Sequence, residues 1–243
     1  MSKNCQVALI TGSARRVGAS IASCFHAHGY NVVVHYRHSG DEARALTACL
    51  NQQREHSAVC LSADLDVSAD YEKLIIDSHD VWQRLDVLVN NASTFSPTPV
   101  GHTKQAAWDL LLNSNLKAPY FLSEYAAPYL REHYGNIVNI TDIHATKPMK
   151  NYSIYSCAKA GLAMLTKSLA LELAPTVRVN AVAPGSVIWP EGENEMSDTD
   201  KKEILSATWL KKQVSPEDIA SAVLFLALHQ TITGQTITVD GGR

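Results

Sequence analysis

The chain has no Cys-x-x-Cys pair, no apolar run of membrane length and no strong excess of either charge. Each absence removes a class of function. The five cysteines, Cys5, Cys24, Cys49, Cys60 and Cys157, are odd in number and unpaired in spacing. They read as reduced thiols of a cytoplasmic protein rather than a disulfide scaffold. No stretch approaches the roughly 20 apolar residues that cross a bilayer. The opening MSKNCQVALITG passes straight into a strand pattern with no signal-peptide core. A formal charge of −3 gives no electrostatic reason to expect nucleic acid as a partner. The ten histidines fall into no ligand spacing with cysteine, so no metal is expected, and His26 and His28 read as surface helix residues.

What is present is a β/α alternation over 243 residues, 46% of them hydrophobic and 19% charged. Runs rich in Val, Ile and Leu mark strands at Gln6–Ile10, Asn31–Tyr36, Ala58–Ala63, Val87–Asn90, Asn136–Thr141, Arg178–Val182 and Thr236–Val239. Helical periodicity lies between them at Val17–His28, Asp41–Arg54, Asp70–Trp82, Lys104–Arg131, Tyr152–Leu173 and Pro216–Ala227. The alternation predicts one α/β domain over residues 1–243, a Rossmann-like, doubly wound parallel sheet. No repeat or linker interrupts it. The one compositional break is the acidic segment Trp189–Lys202, a solvated loop or part of a substrate lid over about residues 186–213.

Between the first strand and helix the sequence reads Thr11-Gly12-Ser13-Ala14-Arg15-Arg16-Val17-Gly18. Glycines there let backbone N–H groups and a helix N-terminus approach a pyrophosphate. A dinucleotide site for NAD places Asp or Glu at the end of the second strand. Here that end reads Tyr36-Arg37-His38-Ser39, with no carboxylate before Asp41. Arg37, with Arg15, His38 and Ser39, can bind a 2′-phosphate, which favours NADPH over an ordinary basic loop.

Tyr155 and Lys159 stand four apart and share a helix face. A neighbouring ammonium is expected to lower the phenol pKa. Tyr152 is the alternative phenol, without a lysine at that spacing. Asp142, thirteen residues before Tyr155, ends the fifth strand. A carboxylate repels the oxyanion that develops when a ketone is reduced. It suits reduction of C=N, which needs a proton on nitrogen. The other reading is that Asp142 merely caps a turn.

These motifs, with Asp64-Leu65, Asn90-Asn91-Ala92, Asn115, Arg178-Val-Asn180, Pro184-Gly185 and the closing Asp240-Gly-Gly242, resemble the short-chain dehydrogenase/reductase family in order and spacing. The departures ARRVG, HYRHS, NNASTFSPTP and Asp142, where the family commonly has serine, resemble the pteridine reductases within it. The resemblance implies Tyr155, Asp142, Lys159 and Asn115 as catalytic residues. It implies a cofactor site at Gly12, Arg15, Arg16, Val17, Gly18, Tyr36, Arg37, His38, Ser39, Asp64, Leu65, Asn91, Ala92, Ser93, Lys159, Pro184, Gly185 and Ser186. Phe95 would stack on a pterin, with Arg16, Ser93, Asp142 and Tyr155 also touching it, and Trp189 would border the pocket. Asn115 would hold a water linked to Lys159. A homotetramer through the helices of Asn115 and Tyr155 is also implied. The expected activity is NADPH-dependent reduction of a dihydropterin or dihydrofolate, and of oxidised pterins as a further substrate. A carbonyl reductase of the same fold and a non-catalytic NADP sensor are the alternatives.

Overall fold

The computed structural model describes residues 5–189 and 197–243. Strands β1 (Val7–Ile10), β2 (Asn31–Tyr36), β3 (Ala58–Ser62), β4 (Val87–Asn90), β5 (Asn136–Ile140), β6 (Arg178–Pro184) and β7 (Thr236–Val239) form one parallel sheet. Its order is β3-β2-β1-β4-β5-β6-β7. The chain winds outward from β1 through β2 to β3, then restarts on the other side at β4. The carboxyl ends of β1 and β4 therefore frame the crevice where ligands of such sheets bind.

Alternation along the strands decides which helix covers which face. Ala8, Ile10, Val32 and Val34 pack with residues from α1 (Arg16–Ala27), α2 (Gly40–Gln53) and α8 (Pro216–Leu228). Val7, Leu9, Val33 and Leu88 face the opposite layer, built from α3 (Ala69–Asp80), α5 (Ala118–Arg131) and α6 (Ser153–Leu173). Val7–Ile10 are all buried, which is why β1 reads as an unbroken apolar run.

The sequence differs from the fold at three places. The long helix expected over Lys104–Arg131 divides into α4 (Gln105–Leu112), a π turn at Asn113–Lys117, and α5. Pro119 has no N–H to give the carbonyl of Asn115 four residues back, so the chain widens. Ala118 N–H then donates to Asn113, five residues back. The acidic segment read as loop holds a helix, α7 (Asp198–Ala207), whose N-cap Ser197 accepts from Asp200 N–H at 3.1 Å. Residues 190–196 of that expected loop lie outside the described residues. His26 is buried, not on the surface, and its Nε2 meets Ser57 Oγ at 2.7 Å, while His28 is exposed.

Candidate active site

At the carboxyl end of β1 the chain turns so tightly that side chains are excluded. Gly12 has φ +61°, and a Cβ there would lie 2.9 Å from Ala92 Cα. A Cβ on Gly18 would come within 2.4 Å of the Gly12 carbonyl oxygen. The bare backbone and the N-terminus of α1 make a cradle suited to an anion. Arg16 takes φ +56° without being glycine, a strained placement, and its Nη2 donates to the Trp189 carbonyl at 3.3 Å.

Two neighbours hold this turn. Thr11 Oγ1 accepts the backbone N–H of Asn91 and of Ala92 at 2.9 and 3.0 Å. Asn91 Nδ2 donates to the carbonyls of Thr11 and Gly12 at 2.8 and 3.1 Å, so that side chain is spent on the turn. From β2, His35 Nδ1 accepts the Gly12 N–H at 2.9 Å, which places the ring hydrogen on Nε2, 3.1 Å from the Ala63 carbonyl. Burial lowers the His35 pKa to about 4, outweighing the opposing Ala63 hydrogen bond and the charges of Asp64 and Asp70. The sequence shows His35 only as a strand residue.

At the cationic end of the cleft Arg37 pairs with Asp66 at 2.9 Å and Asp64 at 3.1 Å, and Arg15 lies 3.4 Å from Glu42. These carboxylates come from β3's exit and from α2, which packing brings beside the end of β2.

At the other end Tyr155 Oη donates to Asp142 Oδ2 at 2.7 Å. Asp142 Oδ1 accepts the His144 N–H at 2.8 Å, capping a 3-10 turn at Ile143–Ala145. One Asp142 oxygen therefore caps the turn, and the other meets the phenol. The expected lowering of the Tyr155 pKa is reversed. Burial first, then the charge and hydrogen bond of Asp142, push the phenol well above 10, with a Ser93 hydrogen bond opposing them. Lys159 lies 5.7 Å from the centre of the Tyr155 ring and donates to the Ile140 carbonyl at 2.8 Å. Burial lowers its pKa to about 8.

Ser93 Oγ donates to Asn115 Oδ1 at 2.7 Å, and Asn115 Nδ2 donates to the carbonyls of Thr94 and Leu111 at 2.9 and 3.0 Å. Asn115 thereby ties the loop after β4 to the π turn. The ring of Phe95 stacks on Tyr152 with centroids 4.4 Å apart and meets Tyr155 edge-on at 4.9 Å.

A cleft of about 860 Å³ connects the two ends. Gly12, Arg15, Arg16, Val17, Gly18, Tyr36, Arg37, His38, Ser39, Leu65, Asn91, Ala92, Ser93, Phe95, Asp142, Tyr155, Lys159, Pro184, Gly185, Ser186 and Trp189 line it. Asp64 and Asn115 are not in its lining; Asn115 is fully buried. Asp66, Tyr152, Met149, Ile204 and Arg243 line it without having been singled out as binding residues. The helical spacing of Tyr152 and Tyr155 could have suggested the aromatic pair, whereas nothing local marks Asp66. Among the described residues, no cluster of three His, Cys, Asp or Glu is placed to hold a metal, and no helix is long and apolar enough to cross a membrane.

A family model described as enoyl-(acyl carrier protein) reductase matches residues 12–243. The chain is 36% identical to pteridine reductase 1 of Leishmania tarentolae, over 99% of this chain and 97% of that one. It is 35% identical to a 3-oxoacyl-(acyl-carrier-protein) reductase of Staphylococcus epidermidis, over 97% of each chain. With a putative ketoacyl reductase of the granaticin polyketide synthase of Streptomyces violaceoruber it shares 34% identity, over 97% of this chain and 95% of that one. With its sheet order, glycine turn and Tyr155–Lys159 helix, this chain belongs to the short-chain dehydrogenase/reductase family of oxidoreductases.

Proposed function

We propose that the protein is an NADPH-dependent pteridine reductase, acting on the C=N bond of a dihydropterin or dihydrofolate and also on oxidised pterins. The observation that carries this reading is the 2.7 Å hydrogen bond from Tyr155 to a carboxylate, Asp142, where ketone reduction wants a hydroxyl donor.

The residues fit the dinucleotide. Glycine at 12 and 18 lets the turn close where a Cβ would strike neighbouring backbone, α1 presents its N-terminus there, and Arg15, Arg37, His38 and Ser39 line the far end. Leu65, Ala92, Ser93, Lys159, Pro184, Gly185 and Ser186 would hold the remainder. When bound, NADPH supplies the hydride that goes to carbon. The chain's own residues handle the proton. Tyr155 gives its phenolic hydrogen to the substrate nitrogen, and Asp142, hydrogen-bonded to the phenol oxygen, is the group through which a proton from water returns to it, so the pair passes a single proton inward. A phenol held above its ordinary pKa stays protonated at neutral pH, as a donor must. Lys159 lies beneath the phenol and would contact the cofactor ribose, and Asn115 would hold a water linked to it. Phe95 would present a flat surface to the heteroaromatic ring, with Arg16 beside it. The described part of the segment after β6 contributes Trp189 and Ile204 to the cleft.

A carbonyl reductase is the second reading, because the chain is nearly as similar to ketoacyl reductases as to a pteridine reductase. The test follows NADPH consumption with dihydrobiopterin, dihydromonapterin and dihydrofolate beside a ketone and acyl-thioester panel. Pterin turnover that collapses in Asp142→Ser supports the first reading. Turnover of carbonyl compounds alone, unharmed by serine, supports the second.

Further copies of this chain are the partners we infer, in a homotetramer. Trp108, Tyr120 and Met164 are exposed around one groove between α4, α5 and α6, an apolar face that a copy would cover. Light scattering on the purified chain tests it; a monomer would overturn it.

A further inference from the structure

Arg37 meets the cleft with its guanidinium already engaged. Nη1 donates to Asp66 Oδ2 at 2.9 Å, and Nη2 lies 3.1 Å from Asp64 Oδ2. The two carboxylates are not equivalent. Asp64 stands outside the cleft lining, and its Oδ1 accepts the Asp66 N–H at 3.0 Å. Asp66 lines the cleft, and its Oδ1 is buried with no hydrogen-bond partner within the protein. Arg37 is thus the one side chain, among the described residues, that donates to the Asp66 carboxylate. A buried carboxylate oxygen without a hydrogen-bond partner costs stability.

We propose that Asp66 is a specificity-determining residue, which weakens and thereby tunes recognition of a nucleotide 2′-phosphate by competing with it for Arg37. The proposal rests on the NADPH reading above. An arriving phosphate needs the face of the guanidinium fork that Asp66 occupies, and it meets the like charge of that carboxylate. Asp66 yields or the phosphate binds against it; either way affinity is lost. A 2′-hydroxyl carries no charge and suffers no such competition. Asp66 therefore narrows the preference for a phosphorylated over an unphosphorylated ribose.

The test is equilibrium binding by isothermal titration calorimetry, with 2′,5′-ADP and 5′-AMP as probes on the full chain. Wild type, Asp66→Asn, Asp66→Ser, Arg37→Gln and Arg37→Gln/Asp66→Asn are compared, with thermal unfolding to establish that each is folded. Asp66→Asn and Asp66→Ser should tighten 2′,5′-ADP by about threefold to tenfold, with 5′-AMP held within about twofold. The gain should vanish when Arg37 is absent. Unchanged or weaker 2′,5′-ADP binding in both Asp66 variants, with the preference still lost in Arg37→Gln, would overturn the role of Asp66 alone. A gain that persists without Arg37 would also overturn it. Equal affinity of wild type for the two probes, unmoved by Arg37→Gln, would overturn the 2′-phosphate reading and this proposal with it.

Discussion

Phe95 lies nearly flat on Tyr152, with 13° between the ring planes and 4.4 Å between centroids. One face of Phe95 is thereby occupied, and the rotamer that offers its other face is held by packing rather than by chance. Tyr155 meets the same ring edge-on, so the stacking surface and the proton donor are mutually positioned.

Loss of that surface should weaken substrate without touching the cofactor. Phe95→Ala is expected to raise KM for a dihydropterin by about tenfold, in line with about 0.5–1.5 kcal/mol for a ring pair and the lost contact area. Tyr152→Phe should retain wild-type KM, and Tyr152→Ala should fall between them. Steady-state kinetics on a pterin, with NADPH binding measured alongside, checks all three.

Asp142→Asn keeps an acceptor for the phenol and removes the proton carrier. On a dihydropterin, kcat is expected to drop by about 10²-fold or more, the usual scale of general acid catalysis. NADPH affinity should hold. An Asn variant with wild-type kcat would mean that the proton arrives by another route.

His35 makes the fold acid-sensitive. Its folded pKa of about 4 lies below the ordinary 6.5, so the unfolded chain binds more protons between those values. Stability is therefore full above pH 6.5 and is lost as pH falls toward 4, by about 3 kcal/mol. His35→Asn, which can still accept the Gly12 N–H, should flatten that part of the profile. Urea unfolding across the range provides the measurement.

Lys159 acts at the alkaline end with the same sign. Its folded pKa of about 8 lies below its ordinary 10.5, so the charged form is disfavoured in the folded chain. Stability should rise as pH increases from about 8 to 10.5, and Lys159→Met should remove the rise and be the more stable protein at neutral pH. The same variant should lose reductase activity. Denaturant titrations of both proteins at matched pH would show it.

Much of the fold could be read locally. Val7–Ile10 and Arg178–Val182 announce buried strands because both faces of such strands are apolar, and the helices between them carry their own period. The period over Lys104–Arg131 reads as one unbroken helix, since a periodic pattern does not show that Pro119 leaves a carbonyl without its donor. The helix over Asp198–Ala207 leaves no signal in the sequence because it is polar and buries none of its residues. The candidate site was legible where it rests on turn chemistry, as at Gly12 and Gly18, or on spacing within one helix, as at Tyr155 and Lys159.

What the sequence by itself determined is the parallel α/β architecture, the glycine turn and the presence of Asp142, Tyr155 and Lys159 at the ends of adjacent elements. These depend on interactions within a few residues, which local pattern encodes. Only the tertiary structure decided which groups face one another. It set His35 against Gly12, 23 residues away, and Asp66 against Arg37, 29 residues away. It also laid Phe95 on Tyr152 and turned one oxygen of Asp142 toward Tyr155. Such contacts join residues that the sheet order brings together, and their hydrogen bonds and charge pairs depend on packing that no local run of residues contains.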